Sequence, residues 1–135
     1  MNTKALLGRQ ICLSTIKGSD KFFELNSNKQ KILRSVHFEE GFHFFEARRK
    51  YTGITSTSLS EFEEKLKIVN ARSVEHHFRR QDFQRWINYV IGDVELATRI
   101  ARLNKQLSSE NLRKELLKIV RKRIRELEKL IGNAV

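Results

Sequence analysis

The sequence predicts a mainly α-helical domain: a compact bundle of short helices followed by a long C-terminal helix, with a possible β-hairpin ahead of them. Three observations lead there. Apolar residues recur at spacings of three and four from Leu59 to Leu103 and again from Leu112 to Ile131. Residues that cap helices, Ser58, Asp82, Asp93 and Ser108 or Ser109, stand at the starts of those runs. The 135 residues contain no proline, which suits helices joined by tight turns. One domain is expected over 31–135, with residues 1–30 as a poorly defined N-terminal extension.

The first thirty residues are the hardest to read. Leu6, Leu7, Ile11 and Leu13 fit an amphipathic helix or a strand. Residues 31 to 52 also allow two readings. As a hairpin, Ile32 to Phe38 pairs with Phe42 to Ala47 around Glu39-Glu40-Gly41. As a helix, Glu39 and Glu40 face its positive end and Arg48, Arg49 and Lys50 its negative end, with Gly53 as the stop. The alternation of Phe42 and Phe44 beside Gly41 favours the hairpin. Four phenylalanines lie between residues 38 and 45 and need covering, by the helical unit or by a second subunit.

From residue 58 the local signals agree with one another. Ser58 and Glu61 form a capping box, the serine oxygen accepting a free N–H and the glutamate returning to the cap N–H. Leu59, Phe62, Leu66 and Val69 make the inward stripe of that helix, and Asn70 is read as its left-handed stop. A short helix from about Ser73 places Val74, His77 and Phe78 on one side. Asp82 is read as the cap of a third helix carrying Phe83, Trp86, Ile87, Val90 and Ile91, which Gly92 ends. Asp93 caps the next, with Val94, Leu96, Ala97, Ile100 and Leu103 inward.

This stretch resembles an uncharacterised archaeal and bacterial domain-of-unknown-function family. The shared pattern reads Thr57-Ser58-Leu59-x-Glu61-Phe62, His77-Phe78, Asp82-Phe83-x-x-Trp86-Ile87 and Gly92-Asp93-x-x-Leu96-Ala97. Tyr51-Thr52-Gly53 and a basic terminal helix fit it too, so the resemblance covers roughly residues 42 to 131. It implies the helical fold and assigns no catalytic residue.

The last helix is expected from about Ser109 to Ile131, with Gly132 just beyond. Leu117, Val120, Ile124, Leu127 and Ile131 are spaced as a coiled-coil seam over two heptads, widened by Leu112, Leu116, Ile119 and Leu130. That seam must pack on its own domain, on a twin helix, or on both, which makes a homo-oligomer an expectation.

Charge points to a class of partner. The formal net charge is +11, and its distribution is uneven. Residues 1–53 hold 10 Lys/Arg against 5 Asp/Glu, residues 54–103 hold 8 against 7, and residues 104–135 hold 9 against 4. The ends therefore carry the excess. Lys114, Lys118, Arg121, Lys122, Arg125 and Lys129 fall together on the last helix, where they could track the phosphates of DNA or RNA. The bland alternative is a solvated face with local pairs such as Glu115–Lys118 and Lys122–Glu126.

Other candidates have simpler explanations. His76 and His77 are adjacent, so they point to different faces and lack the i, i+4 spacing of a zinc helix. His77 is expected to be packed and hydrogen-bonded, His76 exposed. Asp82 and Asp93 are explained by capping, and Trp86 by the core with its indole N–H bonded near the surface. Tyr51 with Arg48 to Lys50 forms a small basic-aromatic cluster. Cys12, the single cysteine, has no activating neighbours and argues for a reducing, cytoplasmic setting. No apolar run reaches the roughly 20 residues of a membrane helix, and neither a cofactor, a metal nor an enzymatic activity is expected. The leading reading is a non-enzymatic nucleic-acid-binding protein; the alternative is a protein-interaction or oligomerisation module without nucleic-acid binding.

Overall fold

The computed structural model describes residues 27–134, with side chains to residue 129. Residues 27–32 are helical, and a single 3-10 turn follows at Phe38–Glu40. The antiparallel hairpin comprises β1 (Phe42–Ala47) and β2 (Lys50–Ser56). Five helices follow among the described residues: α1 (Leu59–Ile68), α2 (Ala71–Arg80), α3 (Asp82–Trp86) running into a π-helical turn (Ile87–Ile91), α4 (Val94–Ala101) and α5 (Ser109–Ala134). Helices dominate, as expected, and a hairpin does precede them. The readings of Leu6, Leu7, Ile11, Leu13 and Cys12 lie outside the described residues.

The hairpin uses other partners than the sequence suggests. Phe42 to Ala47 turns at Arg48-Arg49 and pairs forward with Lys50 to Ser56, rather than back with Ile32 to Phe38. Gly41 is not the turn. It has an ordinary φ of −70°, and a Cβ there would lie 2.7 Å from the Ser56 carbonyl oxygen. Glycine is needed for the close approach of two backbones. At the far end Thr52 Oγ1 donates to the Phe44 carbonyl at 2.7 Å and accepts the Ile54 N–H at 3.2 Å. These bonds bridge the register shift beside Gly53, whose φ is +85°.

Alternation places Phe42 and Phe44 on the buried face of β1. There they meet Phe62 of α1 and Phe83 of α3, with Phe42 and Phe83 centroids 5.1 Å apart and Phe44 stacked on Phe62 at 5.9 Å. Trp86 completes the cluster and donates its indole N–H to the Glu40 carbonyl at 2.8 Å. The helical unit thus covers Phe42 and Phe44, while Phe38 remains exposed.

Caps punctuate the helices, with some exchange of roles. Ser58 Oγ accepts the Glu61 N–H at 3.2 Å, but Glu61 reaches the N–H and hydroxyl of Thr57, at 2.8 and 2.9 Å, instead of the Ser58 N–H. Asn70 is a start and not a stop: its φ is −68° and its Oδ1 accepts the Ser73 N–H at 2.9 Å, so α2 begins at Ala71 rather than near Ser73. Asp82 does not cap α3. The preceding Gln81 adopts a left-handed φ of 63°, and the Asp82 carboxylate turns to His77 and Arg80. Gly92 ends the π turn at φ +90°, and Asp93 Oδ1 caps α4 at the Leu96 N–H, 3.2 Å away. Val94 is exposed, not inward, because it lies on the side of the first turn of α4 opposite the buried Leu96 and Ala97. Gly132 lies within α5, which runs to Ala134.

Arginines close the free carbonyl ends that the helices leave. Arg113 Nη1 of α5 donates to the carbonyls of Leu66 and Val69 at the end of α1, at 2.7 and 2.6 Å. Arg34 donates to Val90 and Ile91 at the end of the π turn, at 2.9 and 3.2 Å. Together with Ile32, which joins the core, Arg34 ties the segment before the hairpin to the helical unit.

Candidate functional site

The basic row of α5 becomes a surface once the buried face of that helix is known. Leu112, Leu116, Val120, Ile124 and Leu127 point into the core. Relative to the expected seam, the buried stripe is turned toward Leu112 and Leu116, and Leu117 and Ile119 are only partly buried at its rim. Val120, Ile124 and Leu127 are covered within the chain itself, so a second copy would meet the helix on its remaining surface. Ile131 continues the helix beyond the residues whose side chains are described.

At about 100° per residue, Lys114, Lys118, Arg121, Lys122, Arg125 and Lys129 occupy an arc of roughly 100° centred opposite that buried stripe. Residues four apart on this face are separated by about 6 Å along the axis. No acidic residue falls inside the arc; the neighbouring acids, Glu110, Glu115, Glu126 and Glu128, lie outside its edges.

Pairing divides the row. Arg121, half-buried at one edge, bonds Glu63 of α1 at 2.7 Å, and Lys118 meets Glu115 at 3.4 Å. The expected Lys122–Glu126 pair does not form. Glu126 is held instead by Arg99 of α4 at 2.9 Å and by Arg123 at 3.4 Å. Lys114, Lys122, Arg125 and Lys129 are exposed and have no ion-pair partner among the described residues.

His77 is packed and hydrogen-bonded, as its position on α2 predicts. It is 4% exposed. Its Nε2 accepts the backbone N–H of Phe45 at 2.8 Å, and its Nδ1 donates to Asp82 Oδ2 at 2.8 Å. The Phe45 N–H can only donate, so Nε2 must be bare and the ring neutral. Burial pushes the imidazole below its ordinary value of 6.5, against the pull of the Asp82 carboxylate. The histidine is therefore a pin between hairpin and helix.

A pH dependence follows. In the interval between the lowered native pKa and the unfolded value of 6.5, the unfolded chain binds more protons, so stability rises with pH there. The contribution is fully present above about 6.5 and lost as pH falls through the native pKa. Below 4.5 a separate acid loss begins. Glu61, lowered by the Thr57 N–H and hydroxyl, and Glu126, lowered chiefly by Arg99, must then be protonated. Urea titrations across pH are expected to show both limbs, and His77→Gln to abolish only the upper one while costing about 1–3 kcal/mol at neutral pH.

A cleft of about 320 Å³ opens where β1 and the hairpin tip face α2. Arg48 and Arg49 stand on one wall, His76 and Arg80 on the other, and Phe42 and Phe45 line it between them. His76 is half-buried there rather than fully exposed. The sequence carries no signal for this cleft, because its walls come from segments some thirty residues apart that meet through the Phe45–His77 bond and the packing of Phe42 and Phe44 on His77. Tyr51 lies on β2 outside the lining, its ring 5.4 Å from Phe45.

No described helix is long and apolar enough to cross a membrane. No curated protein and no solved structure matches the chain. A family profile described as a family of unknown function, DUF5752, matches residues 21–121. The match begins about twenty residues earlier than the motif pattern implies and ends within α5, and it spans the hairpin, the helical unit and the Asp93 cap. The chain belongs to this family of unknown function.

Proposed function

We propose that the protein binds nucleic acid, DNA or RNA, through the outward face of α5 and without catalysing a reaction. The observation that carries this reading is a face of six cations with no acid among them, on a helix whose opposite side is anchored in the core. Four of those cations are free of ion-pair partners among the described residues. A rigid row of this kind holds cations at fixed spacing, so phosphates displace counterions without first ordering a flexible segment. Long lysine and arginine side chains reach a backbone, and no base-reading motif accompanies them, so recognition of the backbone rather than of sequence is expected.

The test is binding of labelled duplex and single-stranded DNA and RNA across a salt series. Affinity should fall linearly with salt on logarithmic axes. The triple substitution Lys122→Gln, Arg125→Gln, Lys129→Gln should flatten the slope for duplex DNA by about 3. These positions are preferable to Arg121, whose loss would also strand Glu63. No binding at low salt, or a slope unchanged in the triple variant, would sink the reading.

A further inference from the structure

We infer that the cleft between the hairpin tip and α2 binds a nucleoside monophosphate, with Arg48, Arg49 and Arg80 on the phosphate and Phe45 and His76 against the base. This site is separate from the α5 face and does not depend on it.

Backbone strain is the first observation. Arg49 has a φ of 64° in the hairpin turn. A left-handed turn position favours glycine or asparagine, and a long side chain there is retained against an energetic preference. Strain of this kind, kept at a cleft wall, points to a use for the side chain.

Charge is the second. Arg48 and Arg49 have no carboxylate partner among the described residues; the nearby Glu46 pairs with Lys50 at 3.8 Å. The lining contains one carboxylate, Asp82, and it is already engaged by His77 at 2.8 Å, by Arg80 at 3.1 Å and by Arg85 at 3.6 Å. The cleft therefore offers donors and positive charge with its acceptor already used. Guanidinium groups match phosphate oxygens in forked pairs.

Shape and polarity are the third. Behind the arginines lie aromatic faces, and the volume of about 320 Å³ is at the small end of organic-ligand sites. An inorganic anion would leave that apolar part empty, and a purely apolar ligand would leave Arg48 and Arg49 uncompensated. A flat heteroaromatic base joined through its ribose to one phosphate fills both halves. Two sources supply that chemistry: a free mononucleotide, or the phosphorylated end of a nucleic-acid strand.

The experiment is calorimetric titration of the full chain with adenosine 5′-monophosphate and with adenosine. Saturable binding of the monophosphate is expected, about ten-fold or more tighter than adenosine. The Arg48→Gln, Arg49→Gly variant should weaken it about ten-fold or more. Arg49→Gly relieves the positive φ, so that single change should leave the melting temperature equal or higher while binding falls; loss of fold cannot then account for the loss of binding. The α5 triple variant should bind the monophosphate like the wild type.

In that triple-variant background, a 5′-phosphorylated tetranucleotide binding tighter than the monophosphate identifies a strand end as the source, and the reverse order a free nucleotide. No binding of the monophosphate at millimolar concentration would overturn the assignment. So would equal affinity for adenosine, or an affinity unchanged by the arginine substitutions.

Discussion

Replacing Asp93 by alanine is expected to destabilise the protein by about 3 kcal/mol, the lower end of the cost of breaking a buried ion pair, because Arg123 keeps Glu126 at 3.4 Å. Asp93 is 2% exposed. Its Oδ2 accepts Arg123 Nε at 2.8 Å and its Oδ1 accepts Arg123 Nη2 at 3.0 Å, a two-point grip between the start of α4 and the middle of α5. Oδ1 also caps the Leu96 N–H, and loss of a cap alone costs about 1 kcal/mol. Asp93→Ser retains a capping oxygen and loses the ion pair, so it should recover about that amount. Urea unfolding of the two variants, of Arg123→Ala and of the Asp93→Ala, Arg123→Ala double variant completes a double-mutant cycle that separates cap from pair. A midpoint for Asp93→Ala equal to the wild type would contradict the role assigned to the pair.

The second large effect is expected at Phe62. This ring is fully buried and lies at the meeting point of hairpin and helices, with centroids 5.4 Å from Phe83 and from Trp86 and 5.6 Å from Phe42. Phe62→Ala should cost about 3–5 kcal/mol, because the surrounding rings are fixed on two different elements, β1 and α3, and cannot all close on the cavity. Phe62→Leu keeps much of the volume and should cost less than half of that. The loss should also be local in character. Amide exchange in β1 is expected to quicken more than in α5, since the hairpin is held to the helices by this cluster and by the Phe45–His77 bond. Uniform acceleration across both elements would show that the cluster supports the whole core instead of the hairpin docking.

The same residues show where local reading succeeds. Ser58, Gly92 and Asp93 act within three or four residues of themselves, through a side chain bonding the next turn or a left-handed φ, so their roles are visible in the chain order. Asn70 and Asp82 are also local in type but ambiguous in direction. An asparagine suits both the end of one helix and the start of the next, and here the extended backbone at Asn70 selects the start. Asp82 follows a left-handed Gln81, and its carboxylate finds a buried histidine a better partner than the first free N–H groups.

Where pairing is non-local, the chain order misleads. Gly41 suggests a turn, yet its smallness serves the approach of Ser56; the true turn, Arg48-Arg49, has no glycine, asparagine or proline to mark it. The α5 seam is shifted for a related reason. Heptad spacing allows several neighbouring stripes, and the one buried depends on where α1 and α2 lie, with Arg113 reaching the end of α1 and Arg121 reaching Glu63.

By itself the sequence determined the helical character, most helix boundaries, the aromatic core and the face on which the basic residues of α5 gather, because these follow from periodicity and contacts a few residues apart. Tertiary structure decided the hairpin partners, the buried stripe of α5, the Asp93–Arg123 and His77–Asp82 pairs and the arginine-walled cleft. Each of those depends on side chains from segments far apart in the chain meeting at hydrogen-bond distance, and the free energy that selects them is burial of the whole core, which no single stretch contains.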